Sequence, residues 1–202
     1  MYFVKTPWYL KSVYPSLIWD IKKEKTLYFT FDDGPIPYVT EEILNILKDF
    51  NANATFFCIG ENVVGNKNIF NRIIDEGHST GNHTYHHQNG WKTENNLYID
   101  DVLQCENEFK SNLFRPPYGR ITYNQIQEIK KNYRIIMWDV LSGDFDTDID
   151  ADKCSSNVID NAGEGSIIVF HDSEKAKERV LKTLPEVLDH FSKLGYKFEG
   201  IN

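Results

Sequence analysis

The stretch Thr26-Leu27-Tyr28-Phe29-Thr30-Phe31-Asp32-Asp33-Gly34-Pro35 decides how the chain is read. Its opening run, Thr26–Phe31, is apolar, aromatic or β-branched, which is the composition of a strand. The strand runs straight into paired carboxylates and a Gly-Pro turn. Similar runs recur, and strands are expected at Thr26–Phe31, Thr55–Ile59, His78–Gly81, Leu113–Arg115, Arg134–Trp138, Ser166–Phe170 and Tyr196–Glu199. Segments of helical period lie between them, at about Thr40–Phe50, Ile69–Glu76, Leu97–Lys110, Tyr123–Lys131, Ala151–Asn161 and Lys177–Leu194. Seven strands alternating with six helices predict βα units around a parallel sheet. Regular repeats favour a closed or nearly closed barrel, although an open doubly wound sheet gives the same linear pattern.

With 202 residues, 41% hydrophobic and 14% aromatic, the chain has material for one well-packed core and too little for two domains. No Gly/Ser linker, repeat or low-complexity tract interrupts it. A formal net charge of −8 without a Lys/Arg-rich block argues against nucleic acid or anionic lipid as the main partner and favours small neutral or cationic substrates. Cys58, Cys105 and Cys154 are odd in number, far apart and without a CxxC pair, so reduced buried thiols are expected. Residues 1–25 read as an aromatic-rich extension ahead of a domain at 26–202. Lys5, Pro7, Lys11, Pro15 and Asp20 interrupt this extension before a signal-type or membrane-spanning run can form, which points to an intracellular protein. Packing of Trp8, Tyr9, Tyr14 and Trp19 on the domain is favoured over a peripheral membrane contact, and a monomer over an oligomer.

Polar residues collect where the strand runs end. Phe29-Thr30-Phe31 meets Asp32-Asp33-Gly34-Pro35, Gly81-Asn82 meets His83, and Phe114-Arg115 meets Pro116-Pro117-Tyr118-Gly119. Ile135–Trp138 leads to Asp139 and then Asp144, and Ile167–Phe170 leads to His171-Asp172. In barrels and open α/β sheets alike, active sites form at the C-terminal ends of parallel strands. Adjacent carboxylates at a strand end point to different sides, so Asp32 and Asp33 can do different jobs. Alone, the pair is also ordinary turn chemistry.

Histidines are the second clue, with His78, His83, His86 and His87 in one region and His171 at a distant strand end. His83 and His87 are four apart, which on a helical turn puts both imidazoles on one face. His83 with His86 is sterically allowed too, and His78 can reach the same region from a strand. Spacing leaves the choice open. Imidazole and carboxylate together suit Zn²⁺, with Co²⁺ or Ni²⁺ also accepted, and two His plus one carboxylate leave positions open for water or substrate. A neighbouring carboxylate can accept the proton of that water, and His171 can return one to a leaving group. Arg115 and Asp144 are candidates to orient Asp32 and His171.

The segments Thr30–Pro35, Asn82–His87, Arg115–Gly119 and Val169–Asp172, taken together and in this order, resemble the NodB-homology polysaccharide deacetylases, carbohydrate esterase family 4. The resemblance covers about Thr26 to Tyr196. It implies a single-domain, distorted seven-stranded (β/α) barrel that removes acetyl groups from N-acetylated, sometimes O-acetylated, sugars of a polysaccharide, oligosaccharide or peptidoglycan fragment with one divalent metal ion. By the same resemblance Asp32 is the base, and Asp33, His83 and His87 are the metal ligands, which selects His87 over His86 and His78. Thr84 steadies the loop between the ligands, and the Tyr118 N–H joins the metal in stabilising the oxyanion. Arg115 orients Asp32, and His171 is the general acid with Asp144 behind it.

This chain departs from the family at its fourth motif, usually Asp-x-x-Asp-Trp, where it has Leu141-Ser142-Gly143-Asp144-Phe145. Asp144 survives, while Phe145 alters the wall of the acetyl or sugar pocket; Val169 replaces a usual Leu. Family members are commonly exported, which conflicts with the missing signal run. His78, His86, Trp91, Phe145 and Trp138 are candidates to line the cleft, with core packing favoured for Trp138. Two rival readings stand beside the sugar deacetylase: a hydrolase of non-peptide C–N bonds in a small metabolite, and an inactive glycan-binding relative.

Overall fold

The computed structural model describes residues 2–202, and among them eight strands and eight α-helices are found. After α1 (Trp8–Val13) come β1 (Thr26–Asp32), α2 (Val39–Asp49), β2 (Thr55–Cys58), α3 (Gly60–Gly65), α4 (Lys67–Asp75), β3 (Ser79–Asn82), α5 (Asn95–Glu108) and β4 (Leu113–Phe114). A 3₁₀ turn at Pro117–Gly119 leads to α6 (Tyr123–Ile129), β5 (Arg134–Ile135), β6 (Val140–Leu141), α7 (Ala151–Ile159), β7 (Ile167–His171), α8 (Lys177–Lys193) and β8 (Lys197–Phe198). Seven strands follow one parallel path, β5-β4-β3-β2-β1-β7-β6, curled into a half-barrel. The short β8 joins β1 at Thr26 and Leu27.

Strand alternation on β1 explains both the core and the site. Leu27, Phe29 and Phe31 face the helix layer, where Phe31 stacks on Phe56 at 5.0 Å and Phe29 on Phe170 at 6.0 Å. Each fully buried Phe contributes about 1.5–3 kcal/mol. On the other side, Tyr28 packs inside the half-barrel with Phe57, Leu113 and Ile167, and Thr30 and Asp32 turn to the Arg115 guanidinium. Helices α2 and α8 cover the outer face, burying Val39, Ile43, Leu44 and Leu47 from α2, and Val180, Leu184, Val187, Leu188 and Phe191 from α8, at helical spacing.

The path has the expected seven strands but not the expected membership. The Tyr196–Glu199 run supplies only β8, off the path, whereas Val140–Leu141, not expected as a strand, ends it. The run Arg134–Trp138 is not one strand: it stops after Ile135 because the Ile136 and Met137 carbonyls accept from Arg115 Nε (3.2 Å) and Nη2 (2.9 Å). Helices α1 and α3 were likewise not expected, and the His78–Gly81 strand begins one residue later, at Ser79.

The N-terminal segment lies against both end strands of the path. Lys5 forms an antiparallel bridge with Val140 and Ile18 a parallel bridge with Ile136. Asp139, buried, accepts from Lys5 Nζ at 2.6 Å and Lys11 Nζ at 2.7 Å. Burial acts to raise the Asp139 pKa, but the two lysines together with Ser166 bring it below the usual carboxylate value. The expected packing of the aromatics fails for three of them: Trp8 is 77% exposed, and Tyr9 and Tyr14 stand in solvent as well. The segment is held by its backbone bridges, by Lys5 and Lys11, and by Leu17, Ile18 and Trp19, which pack against the core. Cys58, Cys105 and Cys154 are free and buried. Among the described residues no helix is long and apolar enough to cross a membrane.

Candidate metal and active site

β1 delivers Asp32 and Asp33 to the end of the half-barrel, and a left-handed backbone at Asp33 (φ 88°) turns the second carboxylate away from the first. A buried clamp fixes this turn: Asp172 accepts from the Gly34 N–H at 2.8 Å and from Thr40 Oγ1 at 2.7 Å. Burial, with help from the charge of Asp33, pushes the Asp172 carboxyl up to about 8. A side chain at position 34 would place its Cβ 1.8 Å from Asp172 Oδ2. Gly34→Ala is therefore expected to destabilise the protein by about 1–3 kcal/mol, as overpacking does, and to weaken metal binding; urea unfolding together with a Zn²⁺ titration measures both effects.

The histidine loop follows β3. His83 and His87 do not share a helical turn, as their spacing had suggested; the segment is a loop with Thr84 (φ 63°) and His87 (φ 56°) in the left-handed region. Buried acceptors stabilise that conformation: Asn82 Oδ1 accepts from the Thr84 N–H (2.8 Å), and Asp101 Oδ2 from the Tyr85 (2.8 Å) and His86 (3.0 Å) N–H groups. Thr84 Oγ1 accepts from the Gln88 N–H at 3.0 Å. His83 Nδ1–H donates to the Arg115 carbonyl at 2.8 Å, which leaves Nε2 free to act as a ligand. Nε2 of His87 lies 3.2 Å and Nε2 of His83 3.7 Å from Asp33 Oδ1, with all three ligand atoms within 4.8 Å of one another. Two imidazoles and a carboxylate this close fit one divalent ion with positions to spare.

The other histidines are elsewhere. His78 precedes the N-terminal end of β3, its ring against Phe56 at 5.5 Å and its Nδ1 accepting from the Ala54 N–H, so it neither ligates nor lines the cleft. His86 turns to Asp101, with Nδ1 2.5 Å from Oδ1, and is also absent from the cleft.

Asp32 and His171 each have a dedicated partner. Arg115, fully buried, donates from Nη1 to Asp32 Oδ1 and to Thr30 Oγ1, both at 2.7 Å, with its guanidinium 4.1 Å over the Phe57 ring. His171 Nδ1 lies 2.8 Å from Asp144 Oδ1, and the His171 N–H donates to Asp144 Oδ2 at 2.7 Å. Burial acts to lower the His171 pKa, but the charge and hydrogen bond of Asp144 outweigh it, reinforced by Asp33 and Asp32, and push the group up to about 9. Burial, helped by the neighbouring His87 and opposed by Asp32 and Asp33, brings His83 down to about 4, keeping it neutral. Asp33 is held well below the usual carboxylate range: burial opposes this, while the His87 hydrogen bond and the charge of His171 prevail.

These residues open onto a cleft of about 620 Å³ whose lining includes Asp32, Asp33, His83, His87, Tyr118 and His171. Phe145 and Trp138 also line it, and Phe145 packs against the His171 ring at 5.2 Å. Tyr118 adopts φ 60° and lays its ring 4.6 Å from that of His87. Trp91 is not in this cleft but in an adjoining groove.

Sequence reasoning gave no role to Asp101, Asp172, Thr30 or Thr40. Asp101 had a signal: with Tyr98, Val102 and Cys105 it lies on the buried stripe of α5, where a carboxylate must have a partner. Asp172 adjoins His171 in a motif already singled out.

The chain resembles known proteins in sequence and in fold. The sequence profile of the family described as polysaccharide deacetylase matches residues 20–134. A peptidoglycan-N-acetylglucosamine deacetylase of Bacillus cereus is 39% identical over 149 residues, covering 70% of this chain and 54% of its own length, so the chain spans about half of that relative. Another B. cereus protein of the same name is 30% identical over 192 residues, covering 91% of this chain and 90% of its own. The crystal structure of the Bc1960 peptidoglycan N-acetylglucosamine deacetylase superposes with a TM-score of 0.89 at 30% identity, over 97% of this chain and 95% of that one. The chain belongs to the polysaccharide deacetylases, the NodB-homology group of carbohydrate esterase family 4.

Proposed function

We propose that this protein is a metal-dependent deacetylase that removes the acetyl group from the nitrogen of an amino sugar in a glycan, with a peptidoglycan fragment as the favoured substrate. The observation that carries the reading is the convergence of Asp33, His83 and His87 within one cleft that also contains Asp32 and His171, each tied to its own partner. The names of the relatives support the choice of bond and sugar.

Asp33, His83 and His87 hold the ion, and Zn²⁺ suits this donor set, with Co²⁺ or Ni²⁺ as substitutes. When bound, it polarises the acetyl carbonyl and lowers the pKa of a water. Asp32, aimed by Arg115, takes the proton of the attacking water. The backbone N–H of Tyr118, at the cleft mouth, is assigned to the developing oxyanion. His171, charged at neutral pH, gives its Nε2 proton to the departing amine, while Nδ1–H stays on Asp144. Phe145 walls the site beside His171. The direct test is mass spectrometry of N-acetylglucosamine oligomers and muropeptides incubated with Zn²⁺-loaded protein. Loss of acetyl groups is expected; intact substrates throughout would refute the reading.

Two variants probe the roles. Asp33→Asn removes a ligand charge and should weaken Zn²⁺ binding in calorimetry by more than the about 10–100-fold that follows loss of a group supporting a ligand. In Asp144→Asn the carboxylate that raises the His171 pKa is gone, so that pKa falls from about 9 toward the ordinary ~6.5. An acid is active below its pKa, so the alkaline limb of the pH–rate profile must move to lower pH. An unmoved limb would remove His171 from the role.

A further inference from the structure

Tyr2, from the N-terminal segment, lines the reacting cleft without being a ligand, base or acid. Antiparallel pairing carries it there: the Leu141 N–H donates to the Val4 carbonyl and the Thr6 N–H to that of Asp139, both at 2.8 Å, with Lys5 opposite Val140. Continued past Val4, this register brings Tyr2 to the turn that follows β6. Gly143 makes room for it, with a left-handed backbone (φ 83°) and no side chain, where a Cβ would stand 2.8 Å from the Tyr2 hydroxyl. The turn runs from Gly143 to Asp146 and is closed by the Asp146 N–H donating to the Gly143 carbonyl at 2.8 Å. It contains Asp144, whose carboxylate holds both Nδ1 and the backbone N–H of His171. Its first half is fixed from behind, by Asn157 Nδ2 on the Ser142 carbonyl (2.9 Å) and by Arg179 Nε on the Asp144 carbonyl (2.6 Å). Tyr2 holds the second half. Its hydroxyl donates to Asp146 Oδ2 at 3.0 Å and its ring packs on Phe145 at 4.9 Å, while Phe145 lies 5.2 Å from the His171 ring. Burial and the Asp146 carboxylate push the Tyr2 hydroxyl up to about 12, so it stays a donor throughout the neutral range.

We infer that Tyr2 is a positioning residue for the acid step: it staples the Gly143–Asp146 turn, so that Asp144 and Phe145 keep the His171 ring aimed at the departing nitrogen. The inference rests on the deacetylase reading, in which the C–N bond breaks as that nitrogen takes the His171 Nε2 proton. An aromatic pair and a hydrogen bond to a carboxylate are each modest alone. Here both act on the two residues directly after Asp144. His171 is anchored at Nδ1 and delivers its proton from the other nitrogen, so a small shift of Asp144 swings Nε2 off line, and misplacement on that scale is costly in rate. A plain wall of the cleft fits Tyr2 less well, because its hydroxyl proton is committed to Asp146 instead of being offered to a substrate.

The test compares Tyr2→Ala, which removes ring and hydroxyl, with Tyr2→Phe, which removes the hydroxyl alone. For acetate release from an N-acetylglucosamine tetramer, kcat should fall about 5- to 30-fold in Tyr2→Ala and about 2- to 3-fold in Tyr2→Phe, as for an acid held less well in line. Hydrolysis of 4-nitrophenyl acetate, whose phenolate leaves without a proton, should lose no more than about 2-fold in either. A second measurement needs no turnover. Amide hydrogen exchange at His171, whose N–H donates to Asp144, should quicken about 3- to 10-fold in Tyr2→Ala, while Asp172, whose N–H donates to the Asp32 carbonyl, keeps its wild-type rate. Equal losses on tetramer and ester overturn the proposal, as does unchanged exchange at His171. A loss confined to KM for the tetramer also overturns it and makes Tyr2 a wall of the cleft. Were the wild type to release no acetate from the tetramer while exchange at His171 quickened in Tyr2→Ala, the staple would stand and the deacetylase reading would fall.

Discussion

Replacing Asp32 with asparagine is expected to lower kcat by about 10²–10⁴-fold, the range that general-base catalysis supplies. Zn²⁺ should still bind, while stability falls because the buried Arg115 guanidinium loses its countercharge. Asparagine keeps an oxygen for the 2.7 Å bond from Arg115 Nη1 but cannot take up the proton of the attacking water. Asp33, the proposed metal ligand, is untouched. Initial rates of acetate release, with metal content measured on the same sample, check this. Near-normal turnover would assign the base to another group.

Arg115→Leu should produce the largest stability loss, about 3–5 kcal/mol, because removing one partner of a buried ion pair leaves the other uncompensated. Four acceptors lose their donor at once: Asp32 Oδ1, Thr30 Oγ1, and the Ile136 and Met137 carbonyls. The consequence extends to the metal. The Arg115 carbonyl holds His83 Nδ1–H, so one residue positions both the proposed base and a proposed ligand, from side chain and backbone respectively. A urea titration measures the stability change; a loss below about 1 kcal/mol, the size of an exposed ion pair, would mean that the guanidinium is not the organising group.

Much of this architecture is legible in the amino-acid order. Thr26–Phe31 reads as a strand because its composition is that of a buried parallel strand, and the carboxylates after it, ordinary turn chemistry when taken alone, gain meaning from the polar clusters at the other strand ends. What stays hidden depends on contacts between distant residues. The break between β5 and β6 exists because Arg115 takes two carbonyls out of the ladder, and nothing in Ile136-Met137 announces it. The choice among His83, His86 and His87 is equally invisible to spacing. It depends on the left-handed Thr84 and His87, on Asn82, and on Asp101, which draws His86 away from the ion site. The N-terminal segment was read from its aromatics, yet two of its lysines are tied to Asp139, over 120 residues from either.

In the proposed reaction, acetyl removal runs through an ion held by Asp33, His83 and His87. The most direct measurement is acetate release from an N-acetylglucosamine oligomer by chelator-treated protein, before and after Zn²⁺ is restored, in the wild type and in His83→Ala. Release should vanish on chelation, return with Zn²⁺ in the wild type, and stay absent in the variant at equal Zn²⁺. Release that survives chelation, or that Zn²⁺ restores equally in His83→Ala, would contradict it.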